Sequence, residues 1–320
     1  MESIESWLEL PTSVLLSEAW RSRRRYFENT VLFAAPGAKG YDNEFYQNTP
    51  EKFVTISLTG NECTLNCEHC GKKLLHSMVH CLRPHELLKT AKGLIESGCE
   101  GILLSGGADR EGAVPLEPFL DTIAEIKDLG LKVIVHTGLA RETTLAQLKK
   151  ARVDQVLIDI IGDRETIKQV YHLDKEPEDY LEFLKICKHY ELEVAPHVVL
   201  GLHYGEIKGE IEAIRMISQM HHSHIVLVVL TPMVGTSMAK VTPPTAEECG
   251  RLIAMTRLAN PTSYLSLGCA RPAGMEKNLL EQFALNAGVN AIAYPTTETI
   301  SLAKEMGLTF HFTDHCCTLI

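Results

Sequence analysis

No stretch of the sequence reaches the roughly 18 consecutive apolar residues that a helix needs to span a bilayer. A membrane-spanning helical protein is therefore not expected. The opening residues, MESIESWLEL, carry neither a basic leader nor a long apolar core, so no secretory signal is expected either. Positive charge is in deficit: 31 Lys and Arg stand against 41 Asp and Glu, a net charge of −10. Such a chain repels phosphate backbones and anionic headgroups over most of its surface, so neither nucleic acid nor membrane is expected as a partner. The one basic cluster, Arg21-Ser22-Arg23-Arg24-Arg25, reads as a solvated helix face, with a docking site for an acidic protein as the sharper alternative. Internal repeats and low-complexity segments are also missing, which argues against a solenoid.

Cysteine, by contrast, is plentiful, with ten in the chain. Without an export signal these read as reduced, cytoplasmic and partly metal-binding thiols, not as a disulfide scaffold. Three of them, Cys63, Cys67 and Cys70, fall in the pattern Cys-x3-Cys-x2-Cys within ISLTGNECTLNCEHCG. They follow a β-rich run, Phe53-Val54-Thr55-Ile56-Ser57-Leu58. Three thiolates on one short loop suit three irons of a 4Fe–4S cubane and leave the fourth iron open to a substrate. A closed zinc site is the competing reading; His69 or His76 would then be the fourth ligand.

From residue 52 onward strands and helices alternate. The expected strands are 52–58, 100–105, 131–136, 153–160, 193–200, 224–230, 263–267 and 289–293, with a short one at 308–313. Apolar runs separated by amphipathic segments indicate a parallel sheet covered by helices. Eight such steps suggest an α/β fold of the (β/α)8 TIM-like barrel type over residues 51–320. Residues 1–50 read as an N-terminal extension with a helix near 13–29. A doubly wound open sheet is the alternative. In a parallel barrel the chemistry gathers where strands end, and several unusual residues fall there. They are Ser105-Gly106-Gly107, His136, Asp159, Gly201 and His203, Pro232 and Gly235, and Cys269. Asp163 reads as a helix cap.

The cysteine loop resembles that of the radical S-adenosylmethionine (SAM) superfamily. His69 stands where that family usually has an aromatic residue. The resemblance implies that the open iron binds SAM, which is cleaved on reduction to a 5′-deoxyadenosyl radical. It also implies that Ser105, Gly106, Gly107, His136, Asp159, Gly201, His203, Pro232 and Gly235 contact SAM, although Ala108 replaces the acid that usually follows the glycine pair.

Within that superfamily, the segments CTLNCEHC, LLSGG, VDQVLIDIIGD, APHVVLGLHYG and LSLGCARPAG and the Cys-Cys tail resemble the biotin synthase-like branch. The nearest resemblance is to the second subunit of the two-protein lipoyl synthases. This implies sulfur insertion into an octanoyl chain on a carrier-protein lysine, with a second, sacrificial 4Fe–4S cluster as sulfur source. The candidate ligands for that cluster are Cys81, Cys269, Cys316 and Cys317. Arg271 is the possible counterpart of a ligating arginine in biotin synthase, although thiolate is the stronger iron ligand. The implied partners are the other radical SAM subunit, an octanoylated carrier (glycine cleavage H protein or a 2-oxoacid dehydrogenase acyltransferase), and an electron donor such as ferredoxin or flavodoxin. Cys99, Cys187 and Cys249 read as small buried hydrophobes.

Overall fold

A computed structural model describes residues 4–319. Its strands are β1 (Thr30–Ala34), β2 (Phe53–Ser57), β3 (Val79–His80), β4 (Gly101–Ser105), β5 (Lys132–His136) and β6 (Gln155–Asp159). They continue as β7 (Val194–Leu200), β8 (His224–Val229), β9 (Tyr264–Leu267), β10 (Ala291–Ala293) and β11 (Thr309–Thr313). All pairings are parallel, in the order β11-β1-β10-β9-β8-β7-β6-β5-β4-β2-β3. The central strands are near-continuous apolar runs because both faces are covered, as a parallel sheet requires. Among the described residues, no helix is long and apolar enough to cross a membrane.

The expected α/β barrel architecture is present, but two details differ. The sheet has eleven strands in an open order, with β11 and β3 at its edges, so the barrel is curled without being closed by backbone pairing. Residues 30–34, within the expected N-terminal extension, form β1 between β10 and β11. This run of five residues, TVLFA, is too short for periodicity to distinguish it from part of a helix.

The chain's last residues bridge the seam that the open sheet leaves. Beyond β11, Tyr46 donates to Asp314 at 2.8 Å, and His315 Nε2 lies 2.7 Å from Glu100 beside β4. Cys316 and Leu319 pack on the inward residues Phe53, Ile134, Leu157 and Ala195. Inside the barrel, Ser266 on β9 donates to the Cys317 carbonyl at 3.0 Å, and Gln155 on β6 donates to that of Thr318 at 3.4 Å. The tail thus fills the interior that a closed barrel would fill with strand side chains.

Helix α2 (Thr12–Tyr26) packs on α9 (Ala246–Ala259) over the β10–β1 region. Two buried arginines anchor that contact. Arg23, within the basic cluster, is fully buried and donates to the carbonyls of Glu28, Thr30 and Val289. It is therefore not part of a solvated helix face. Arg257 is also fully buried, and its guanidinium donates to the carbonyls of Gly288, Asn260, Pro261 and Ser263 and to the Asn290 side chain. Removing Arg257 would strand several buried acceptors, each of which costs about 1–3 kcal/mol when unsatisfied. Arg257→Ala should therefore lower unfolding stability by about 3 kcal/mol or more, read as a fall in the urea midpoint.

Candidate active site

The cysteine loop leaves the end of β2 and rests on the turn after β4. Thr64 N–H donates to the Ala108 carbonyl at 2.8 Å, and Gly107 N–H donates to Thr59 Oγ1 at 2.7 Å. The approach is so close that a Cβ on Gly107 would lie 2.0 Å from the Glu62 carbonyl oxygen and 2.4 Å from Cys63 Cβ. Glycine is required at this position by space rather than by φ. Ser105 is buried on the same turn, and Gly106 packs against Thr59 and Val114.

The ligand atoms of Cys67, His69 and Cys70 lie within 4.8 Å of one another, and Cys63 lines the same cleft. The Cys67 thiol is pushed well above its ordinary range by its hydrogen bond to Cys70, by burial and by neighbouring thiolates. Cys70 moves the opposite way: the hydrogen bond from Cys67 and the contact with His69 hold it low against burial. The pair thus favours a thiolate at Cys70, and a donor set of three thiols around one cleft fits a 4Fe–4S cluster.

The cleft in front of this loop measures about 660 Å³ including its open mouth. Gly106, His136, Asp159 and Tyr171 line it together with the three cysteines. Asp159, at the end of β6, lies 3.8 Å from His136 Nε2 and accepts a hydrogen bond from Tyr171 at 3.2 Å. Burial would raise its carboxyl, but the His136 imidazole facing it holds it well below the usual carboxylate range. An ionised carboxylate facing a cleft is suited to ribose hydroxyls. Asp163 instead caps α6 (Arg164–Val170), accepting from Thr166 N–H at 2.7 Å.

The other sequence candidates lie around this cleft or away from it. Gly201 has φ +77°, and a Cβ there would strike Pro244 at 2.3 Å. Its N–H donates to Glu210 Oε1 at 2.7 Å. His203 turns toward α6, 3.0 Å from Thr166 Oγ1, and does not line the cysteine cleft. Gly235, at φ +78°, comes close to the Lys73 side chain, and Thr236 lies beside Gly71, so the Pro232–Thr236 loop leans on the far side of the cysteine loop.

A second group of thiols forms on the β8–β10–β1 side of the barrel. Cys269 follows β9 and is exposed; Cys316 and Cys317 of the tail come near enough to act on it electrostatically, although the three sulfurs do not all lie within 4.8 Å of one another as the first group's ligand atoms do. The tail pair packs with Ala34, Val226, Val228, Ala293 and Tyr294. The neighbouring Cys317 thiol lowers Cys316 to about 7 against the effect of burial, and Thr318 Oγ1 lies 3.4 Å from its sulfur. Cys269 is pushed up by burial and by Cys316, with Arg271 and Lys39 opposing.

Two expectations are corrected here. Cys81 is buried beside helix α3 (Pro84–Glu96), with its sulfur 3.4 Å from Thr90 Oγ1, and does not join the second group. Arg271 is bound to Glu281 at 2.6 Å and to the carbonyls of Gly268, Ala293 and Tyr294, so it offers no lone pair to a metal.

Tyr171 lines the cleft with no sequence signal to mark it, and His197 lies near the cleft beside His136. His197 donates through Nδ1 to the Ala195 carbonyl at 2.9 Å and meets the His136 ring edge-on. Burial pushes it down to about 4, with Asp159 opposing and His136 reinforcing the fall.

Two outcomes follow from this geometry. Gly107→Ala should displace the 62–63 backbone and cost the first site its metal, a loss of about four irons per reconstituted chain. The folded pKa of His197 lies below the unfolded value of about 6.5, so its contribution to stability is present above that pH and is lost as pH falls toward 4. His222, also pushed down to about 4 by burial, acts in the same window. His197→Gln should therefore remove only part of the acid loss of stability in that window and change the pH slope little above pH 7, as read by urea titrations at each pH.

Comparison with known proteins agrees with this architecture. The radical SAM superfamily profile matches residues 57–217. A biotin synthase from Thiobacillus denitrificans is 25% identical over 291 residues, spanning 85% of this chain and 89% of its own. One from Coxiella burnetii is 23% identical over 325 residues, 96% of this chain and 94% of its own. The crystal structure of methylornithine synthase (PylB) superposes with a TM-score of 0.63 at 16% identity, covering 96% of this chain and 93% of that one. The FeFe-hydrogenase maturase HydG from Carboxydothermus hydrogenoformans gives 0.66 at 14% identity, covering 94% and 72%. The structural likenesses speak for the fold alone, whereas the profile spans the cysteine loop, the glycine turn and the Asp159 strand in one match. The chain belongs to the radical SAM superfamily.

Proposed function

We propose that this chain is the sulfur-inserting radical SAM subunit of a two-protein lipoyl synthase, converting an octanoyl-lysine on a carrier protein to lipoyl-lysine. The observation that carries the proposal is the second group of thiols, Cys269, Cys316 and Cys317, set inside the barrel apart from the first. Cys63, Cys67 and Cys70 would hold one 4Fe–4S cluster with an open iron, and the second group would hold another. When bound, the clusters and SAM supply the radical that activates a C–H bond and the sulfur that replaces the hydrogen.

The chain's own residues do the positioning. Gly107 lets the first loop sit low on the barrel rim, and Asp159 offers a carboxylate to SAM hydroxyls. His197 remains neutral and places no extra charge in the barrel where an apolar acyl chain would lie. Val226 and Val228 supply apolar wall beside the second thiols. The other radical SAM subunit, the octanoylated carrier and a one-electron donor complete the proposed reaction.

A second reading is sulfur insertion into a small molecule, favoured by the similarity to biotin synthases over most of the chain. A single experiment addresses both readings. The chain is reconstituted with isotopically heavy sulfide and incubated with the partner subunit, SAM, reductant and octanoylated carrier. Heavy sulfur should enter the carrier. The Cys269→Ala/Cys316→Ala/Cys317→Ala variant should fall from about eight irons to about four, still cleave SAM, and transfer no sulfur. Unlabelled or absent product from the native chain, or normal transfer by the variant, would overturn the proposal.

A further inference from the structure

The segment that follows the first cysteine loop differs from the rest of the molecule in charge. Residues 69–85, HCGKKLLHSMVHCLRPH, contain no Asp or Glu, whereas the chain as a whole has 41 in 320 residues, about one in eight. They contain Lys72, Lys73 and Arg83 instead. Two of these cations meet acidic side chains from outside the segment: Glu62 lies 3.9 Å from Lys72, and Glu86 pairs with Arg83 at 2.6 Å. The same segment exposes apolar side chains. Leu74 is 53% exposed, Val79 41% and Leu82 58%. Val79 lies on β3, the edge strand of the sheet, which pairs on one side only with β2. Buried neighbours explain none of these three side chains, and exposed apolar groups ringed by charge mark contact surfaces.

This surface also lies beside the metal loop. Lys73 N–H donates to the Cys70 carbonyl at 2.9 Å, and Lys72, at φ +66°, starts the helical turn Lys73–Ser77 that presents Leu74. A span of four residues from Cys70 to Leu74 puts the two no farther apart than about 14 Å. The route to the cysteine cleft is therefore short on this side. A net charge of −10 repels an acidic protein over most of the surface, and residues 72–83 are a local exception.

We propose that residues 72–83, with Lys72, Lys73 and Arg83 around Leu74, Val79 and Leu82, form the docking face for an acidic one-electron carrier protein. The proposal rests on the reading of Cys63, Cys67 and Cys70 as ligands of a redox cluster. The step it serves moves one electron: the reduced carrier is oxidised by one, the cluster is reduced by one, and no atom is exchanged. Basic side chains set the approach and orientation of the acidic partner, and the three apolar side chains give the contact its short-range area.

The test uses the full reconstituted chain with a flavodoxin as probe. Binding is measured by surface plasmon resonance at two salt concentrations, and SAM cleavage is driven either by reduced flavodoxin or by dithionite. Lys72→Glu/Lys73→Glu and Leu82→Ser should each weaken binding about tenfold or more, and only the charge reversal should flatten the salt dependence. Flavodoxin-driven cleavage should fall in step, while dithionite-driven cleavage stays within twofold of native. Arg24→Glu/Arg25→Glu, on the other basic segment, should leave all three readings unchanged. The proposal is overturned by unaltered flavodoxin binding in both variants, by a loss confined to the α2 variant, or by equal losses with both reductants. It is also overturned if the variants weaken binding of octanoylated carrier protein and leave flavodoxin binding intact. If the native chain binds flavodoxin but cleaves no SAM with dithionite, the cluster reading fails and the docking face stands.

Discussion

The candidate site depends on one close backbone contact. The chain from Glu62 to Cys63 lies on Gly107 with no room for a Cβ, and the Thr64–Ala108 hydrogen bond fixes its height. Because the contact joins the ends of two neighbouring parallel strands, β2 and β4, the position of the cysteine loop is set by the sheet itself. The loop's own turns then bring Cys67, His69 and Cys70 together, and the cleft with Asp159 and Tyr171 opens in front of them. A rigid sheet edge supporting a short ligand loop reduces the cost of ordering the ligands when metal binds.

The second constraint operates at long range. An eleven-stranded sheet that curls without closing leaves a seam, and residues 314–319 fill it. That filling carries Cys316 and Cys317 to the barrel interior, where Cys269 faces them from the end of β9. The two thiol groups therefore have different origins. One is local to a loop, and the other exists only when the whole barrel has formed. Arg271, fully engaged with Glu281 and three backbone carbonyls, buttresses the turn that carries Cys269 and does not act as a ligand.

What could be read from the sequence follows this division. Cys63, Cys67 and Cys70 were legible because spacing within one loop determines their proximity. The inner strands were legible because burial on both faces makes them continuous apolar runs. β1 was not, since five apolar residues fit a helix turn as well as a strand. The place of Cys81 was not legible, because closeness in sequence to the cysteine loop does not say which way an edge residue faces, and its thiol turns under α3. Glu210 binds the Gly201 N–H across an eight-residue turn, a pairing that spacing alone does not indicate. Tyr171 reaches Asp159 from the far end of α6, a contact that only the assembled barrel produces.

The most direct test of the central claim is release of 5′-deoxyadenosine from SAM by the anaerobically reconstituted chain under dithionite, compared between the native protein and Cys67→Ala. Release by the native chain and its loss in the variant is the predicted result. Equal release by both would contradict the assignment of Cys63, Cys67 and Cys70 as the ligands on which the chemistry depends.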